Sequence, residues 1–194
     1  MEIIGLSGYA RSGKDEAAKI LVEEFGFTRV AFADKLREVL YALDPIVAPS
    51  KERYFVGSKV VVTLQEVIDV YGWDKYKESE YGPEIRRLLQ RLGTEAGRQA
   101  LWDTIWIDAT LTGFDADAKV VVSDARFFNE FDAIRERGGE IWRIEREGVG
   151  PTNNHPSETE AVDYPYFATY IHNDGTLEDY RKSVKRRYLE RLSA

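Results

Sequence analysis

An apolar run, Glu2-Ile3-Ile4-Gly5-Leu6-Ser7, leads directly into Gly8-Tyr9-Ala10-Arg11-Ser12-Gly13-Lys14-Asp15, and a helical pattern opens at Lys14. A strand that ends in a glycine-rich turn at the start of a helix aims several backbone N–H groups, and the positive end of the helix dipole, at one point. The G-x-x-x-x-G-K spacing is that of a phosphate-binding loop, and it commits the chain to a β-loop-α unit. Gly8, Arg11, Ser12, Gly13 and Lys14 are the candidate ligands of a triphosphate. The competing reading is an ordinary strand-to-helix turn that happens to hold two glycines. The position after the lysine usually carries a Ser or Thr hydroxyl for Mg²⁺ and here carries Asp15. A carboxylate is a ligand for a hard cation, directly or through water; its plainer role is that of an acidic first-turn residue.

Strand and helix alternate on both sides of a helical middle. Gly26 stands where the first helix should stop, Phe27 to Phe32 reads as a second strand, and Asp34 is placed to cap a helix from Lys35 to Leu43 that Asp44-Pro45 ends. Loop and helix are expected next. Thr63-Leu64-Gln65-Glu66 is a capping box opening a short helix interrupted at Gly72, and Pro83 suits the first turn of a helix through about Leu101. The β-branched run Lys119-Val120-Val121-Val122 ends at Ser123-Asp124, as expected of a buried parallel strand whose tip faces a site. Asn129 to Arg137 reads as a helix, Glu140 to Ile144 and Tyr166 to His172 as strands, and a capped terminal helix follows. The pattern predicts an α/β fold, a doubly wound parallel sheet in one domain over 1–194, with a mostly helical lobe inserted at about 45–110.

Three further constellations carry chemistry. On the helix after Pro83, Arg86, Gln90, Gly93, Thr94 and Gly97 fall within about 100° of arc, a polar stripe suited to a phosphate and a base edge, or else an ordinary solvated face. Asp124-Ala125-Arg126 places an acid and a base at a strand tip: Asp124 is a Mg²⁺ candidate, and Arg126 is a phosphoryl ligand or the ion-pair partner of Glu130. Residues 146–160, rich in Gly, Asn and Pro, read as a lid, with Arg146 the clamp on transferring phosphates and His155-Pro156-Ser157-Glu158 the hinge, or as an inert loop. Asn173-Asp174-Gly175-Thr176 follows the last strand; capping by Thr176 is sufficient for it, although the loop is also placed to border an adenine.

Composition excludes several classes. A net charge of −7 argues against a nucleic-acid partner, and no apolar stretch reaches the length of a membrane span. Glu2 stands where a secretory signal would carry positive charge, so a cytoplasmic location is expected, and the absence of cysteine fits a reducing compartment and removes thiolate chemistry. The two histidines show no zinc-site spacing. The oligomeric state stays open, a homodimer included.

Taken together, Arg11-Ser12-Gly13-Lys14-Asp15, Arg86-x-x-x-Gln90-x-Leu92-Gly93-Thr94-Glu95, Asp124-x-Arg126, Arg146 with His155-x-x-Glu158, and Asn173-x-Gly175 resemble the bacteriophage deoxynucleoside monophosphate kinases over nearly the whole chain. The aspartate after the loop lysine looks like that family's practice, whereas Lys35 and Glu147 stand where it often has proline. The resemblance implies a phosphotransferase that uses ATP and Mg²⁺ to convert deoxynucleoside 5′-monophosphates to diphosphates for phage DNA synthesis, in the host cytoplasm. Lys14, Arg126 and Arg146 would be catalytic, Asn173 and Gly175 would join the loop at ATP, and Asp15 and Asp124 would serve the metal. Asp34, Arg37, Arg86, Gln90, Thr94, Glu95 and Arg98 would hold the acceptor, and His155, Ser157 and Glu158 would belong to the lid. Another small kinase, such as one acting on dephospho-coenzyme A, and a nucleotide-binding regulator without turnover are the alternatives.

Overall fold

The computed structural model describes residues 1–55, 58–151 and 160–193. In chain order the elements are β1 (Glu2–Ser7), α1 (Lys14–Phe25), β2 (Thr28–Val30), α2 (Phe32–Leu43), β3 (Ile46–Phe55), β4 (Ser58–Thr63), α3 (Leu64–Lys75), α4 (Gly82–Arg91), a π-helical stretch Leu92–Gln99, α5 (Ile105–Leu111), β5 (Lys119–Val122), α6 (Phe128–Glu136), β6 (Glu140–Glu145), β7 (Thr169–His172) and α7 (Leu177–Leu192). They form two compact units, residues 1–32 with 110–194, and residues 33–109.

The first unit is built on a five-stranded sheet in the order β2-β5-β1-β6-β7, every pairing parallel. Its inner strands β1, β5 and β6 are buried along nearly their whole length, as residues covered on both faces are, which is why β1 and β5 read as continuous apolar runs instead of alternating ones. Ile4 and Leu6 share one core with Trp142 and Ile144, beneath Ala17, Ala18 and Leu21 of α1 and Tyr180, Val184 and Tyr188 of α7. Side chains alternate along a strand, so Ile3 and Gly5 turn to the opposite face. There a Cβ on Gly5 would come within 2.8 Å of Ile134 on α6 and of Ile141. This is the α/β, doubly wound arrangement that the alternating pattern predicts. Because all strands run the same way, the ends of β1, β5, β6 and β7 emerge at one edge of the sheet, the edge where such folds place their ligands.

Local signals act as expected at several ends. Gly26 closes α1 in the left-handed conformation at φ 73°, and both Thr63 and Thr176 complete capping boxes, with Glu66 and Asp179. Three expectations are corrected. Helix α2 begins at Phe32 and not at Lys35, so Asp34 lies inside its first turn, and the Phe32 N–H is taken instead by the Asp124 carboxylate at 2.8 Å. The segment expected to be loop holds an antiparallel ribbon, β3 with β4, whose second strand contains Val60-Val61-Val62. The helix after Pro83 changes character at Leu92, where the α-helix gives way to the π-helical stretch.

The second unit packs Leu40, Val47, Leu64, Val67, Ile68, Tyr76 and Ile85 into a core of its own. Gln65 ties α3 back to α2, its backbone N–H to Asp44 and its side-chain amide to the Tyr41 carbonyl.

Leu6 is completely buried in the first core. Leu6→Ala is expected to cost about 2–5 kcal/mol of unfolding free energy. Equilibrium urea unfolding followed by tryptophan fluorescence measures this, and a loss below about 1 kcal/mol would contradict the packing described.

Candidate phosphate-binding site

The turn from β1 to α1 is set by backbone positions that only small residues fill well. Gly8 has φ 147°, and a Cβ there would lie 2.4 Å from the Ile144 carbonyl oxygen and 2.7 Å from Ser12 Oγ. Gly13 has φ 113° and is the residue from which α1 starts; a Cβ on it would meet Asn173 Nδ2 at 2.5 Å and the Tyr180 ring. Between them Arg11 takes φ 69°, a left-handed conformation that a non-glycine residue seldom adopts away from functional turns.

Side chains from the far end of the chain hold this turn. Asn173 donates to the Ser12 carbonyl at 2.8 Å, and the Tyr180 hydroxyl donates to the Gly13 carbonyl at 3.0 Å. Burial pushes the Tyr180 hydroxyl far above its ordinary pKa, with Glu16 adding to the effect, so it remains a proton donor at any working pH. Lys14 is buried to about nine-tenths and its ammonium donates to the carbonyls of Gly8 at 2.6 Å and Tyr9 at 2.7 Å. The Tyr9 carbonyl also accepts the Ser12 N–H, closing the turn.

A polyphosphate fits this arrangement. Ser12 Oγ is buried and has no hydrogen-bond partner among the described residues, and a hydroxyl in that state is stabilised by an acceptor entering the loop. The glycines let the turn pack tightly against Ile144, Asn173 and Tyr180, the helix begins at the same point, and the one buried ammonium among the described residues is in the turn.

Around the same sheet edge, Asp124 is spent partly on the Phe32 N–H. Glu130, buried on α6, accepts the backbone N–H groups of Arg126 at 2.7 Å and Phe127 at 3.1 Å, and so caps that helix. Asp15 and Arg146 are exposed. A Cβ on Gly175 would lie 3.3 Å from Asp179, and Asp174 accepts the Glu147 N–H, so this loop serves capping and the anchoring of the segment after β6. No group of three or more Asp, Glu or His side chains among the described residues is arranged for a metal. Mg²⁺ bound between one or two carboxylates and substrate phosphates does not require one. His155, Ser157 and Glu158 lie outside the described residues.

The second unit has its own concentration of positive charge. Burial raises the pKa of the Tyr76 hydroxyl, and the positive charges of Arg37 and Arg86 act against that rise. Arg37 also meets Asp34 at 3.3 Å and lies over the Trp73 ring. Arg87, the neighbour of Arg86, is engaged with Glu84 at 2.6 and 2.8 Å. Arg86, Gln90, Thr94 and Glu95 are exposed, with Arg98 half-buried. The glycines in this segment serve packing: Trp106 donates to the Gly93 carbonyl at 2.9 Å, and a Cβ on Gly97 would lie 2.7 Å from the Trp106 ring.

Residues 74–184 match the family model for deoxynucleotide monophosphate kinase. The chain belongs to the deoxynucleotide monophosphate kinase family. It is 29% identical over 202 residues to a putative deoxynucleotide monophosphate kinase of Acanthamoeba polyphaga mimivirus, covering 95% of this chain and 94% of that protein. It is also 27% identical to the deoxynucleoside-5′-monophosphate kinase of Escherichia phage T5, over 69% of this chain and 72% of that one. Among solved structures, a dephospho-CoA kinase from Campylobacter jejuni is similar over 98% of this chain and 97% of its own, with a TM-score of 0.45 and 12% identity. In this member of the kinase family, Gly8→Ala should weaken ATP binding at least about ten-fold, because the added methyl meets the Ile144 carbonyl first, a backbone group that cannot swing aside, and sits at a positive φ. Titration calorimetry with Mg·ATP checks this, and unchanged affinity would contradict the loop geometry.

Proposed function

We propose that the chain transfers the γ-phosphoryl group of ATP to deoxynucleoside 5′-monophosphates, supplying diphosphates for viral DNA synthesis. The observation that carries this reading is the turn of residues 8–15. There a buried lysine, and a buried serine hydroxyl with no partner among the described residues, converge beneath two glycines. Family membership supports the choice of acceptor.

Phosphoryl transfer through a loose transition state asks for alignment and charge neutralisation more than for a strong base. Lys14, anchored at the carbonyls of Gly8 and Tyr9, would present its charge to the β- and γ-phosphate oxygens from within the turn. Arg126 and Arg146 would neutralise charge on the transferring group, and Asn173 and Gly175 would border the adenine. Asp15 and Asp124 are the carboxylates that would hold Mg²⁺, which would offset the negative charge of the phosphates during transfer. On the acceptor side, Arg37 and Arg86, both of which act electrostatically on Tyr76, would grip the monophosphate, with Asp34, Gln90, Thr94, Glu95 and Arg98 reading sugar and base.

A coupled ADP-release assay with the four deoxynucleotides, their ribo counterparts and dephospho-coenzyme A tests the reaction and its acceptor together. Turnover with deoxynucleoside monophosphates is expected, and turnover with dephospho-coenzyme A alone would overturn the acceptor. In the same assay Lys14→Ala should lose a factor of about 10²–10³ in kcat, about 3–4 kcal/mol of transition-state stabilisation, while remaining folded by circular dichroism. Arg86→Ala should raise KM for the monophosphate far more than KM for ATP; the reverse pattern would move Arg86 to the donor side.

A further inference from the structure

Arg143 is a charged residue inside the buried part of β6, whose other members there, Ile141, Trp142 and Ile144, are apolar. It stands between Trp142 and Ile144, each fully buried, and is itself only 5% exposed. By alternation it faces the α6 side of the sheet with Ile141. It is the parallel register partner of Ser7, the last residue of β1, and its guanidinium donates to Ser7 Oγ at 3.2 Å. Its Cζ lies 4.9 Å from the centroid of the Tyr9 ring and 5.8 Å from that of Phe167. The carboxylate paired with it, Glu145, is at the outer limit of an ion pair, 4.0 Å from Nε.

A buried cation is costly unless its surroundings compensate it, and here the compensation comes from two ring faces, one hydroxyl and a distant carboxylate. An apolar side chain like its neighbours would fill the same space without that cost. The position of Tyr9 gives the charge a purpose. The Tyr9 ring rests on Arg143, while the Tyr9 carbonyl accepts both the Lys14 ammonium and the Ser12 N–H. One residue of the turn thus joins the guanidinium to the lysine. The incompletely neutralised charge also lies directly behind the turn, where it favours an anion in front.

Resting on the reading of the turn as the triphosphate site, we propose that Arg143 is a positioning residue for ATP: it fixes the Tyr9 peptide that holds Lys14 and adds a permanent positive charge beneath the loop. Its influence belongs to the donor side only.

The test is calorimetric titration of the full chain with Mg·ATP and, separately, with a deoxynucleoside monophosphate, each at low and moderate salt. Arg143→Met, which keeps length and loses charge, should bind Mg·ATP about ten-fold or more weakly, show a shallower salt dependence, and bind the monophosphate as the wild type does. Arg143→Lys, which keeps charge and loses the planar stack, should recover part of the affinity and the salt dependence. A variant weakened only in thermal stability, with ATP affinity and salt dependence of the wild type, would overturn the proposal. So would equal losses for both nucleotides. Should Arg143→Met fail to fold, Tyr9→Leu decides: weakened ATP binding with intact monophosphate binding supports the proposal, and unchanged ATP binding overturns it. Failure of the wild type to bind Mg·ATP would overturn the loop reading and this proposal together, whereas ATP binding without transfer to any deoxynucleotide would overturn only the proposed acceptor.

Discussion

The turn between β1 and α1 holds its shape because side chains, two of them from the far end of the chain, grip its carbonyls. Asn173 takes that of Ser12, Tyr180 that of Gly13, and Lys14 those of Gly8 and Tyr9. With those carbonyls engaged, α1 starts directly from the turn at Lys14, and its positive end adds to the pull on an anion there. The parallel sheet brings the ends of β1 and β7 to one edge with β6 between them, and α7 shares a core with α1, so that residues 173 and 180 meet residues 12 and 13.

The same logic explains what is polar in the buried part of the first unit. Ser7, Ser12, Lys14, Ser123, Glu130 and Arg143 are its buried polar residues near the sheet edge. Each is tied to the shaping of a terminus or turn: Ser123 to β2 through the Val30 carbonyl, Glu130 to the start of α6, and Arg143 to Ser7 and Tyr9. Polar groups are tolerated where strands end because backbone groups there have lost their ladder partners and supply bonds in return.

Much of the fold is legible in the chain. The continuous runs at 2–7 and 119–122 announce strands buried on both faces, Gly26 announces a helix end, and Thr63 and Thr176 announce helix starts, because each signal is local. The turn of residues 8–15 is legible for the same reason. What stays hidden depends on partners far along the chain. Helix α2 starts early because Asp124 caps it from 92 residues away. Gly93 and Gly97 read as part of a stripe suited to a phosphate and a base edge, whereas Gly97 makes room for the Trp106 ring and the Gly93 carbonyl accepts its indole N–H. The β3–β4 ribbon reads as loop although Val60-Val61-Val62 is β-branched. Arg143 belongs to no motif, yet a charge in the run Ile141 to Ile144 is itself the signal: in a strand covered on both faces, such a residue needs a reason.

The central claim is that residues 8–15 cradle the triphosphate with their amides. Its most direct test is a two-dimensional ¹H–¹⁵N NMR titration with a non-hydrolysable ATP analogue and Mg²⁺. The amides of Gly8 through Asp15 should show the largest saturable shifts, together with the Asn173 side-chain amide that holds Ser12. Saturable shifts centred elsewhere, with the amides of this turn unmoved, would contradict the account.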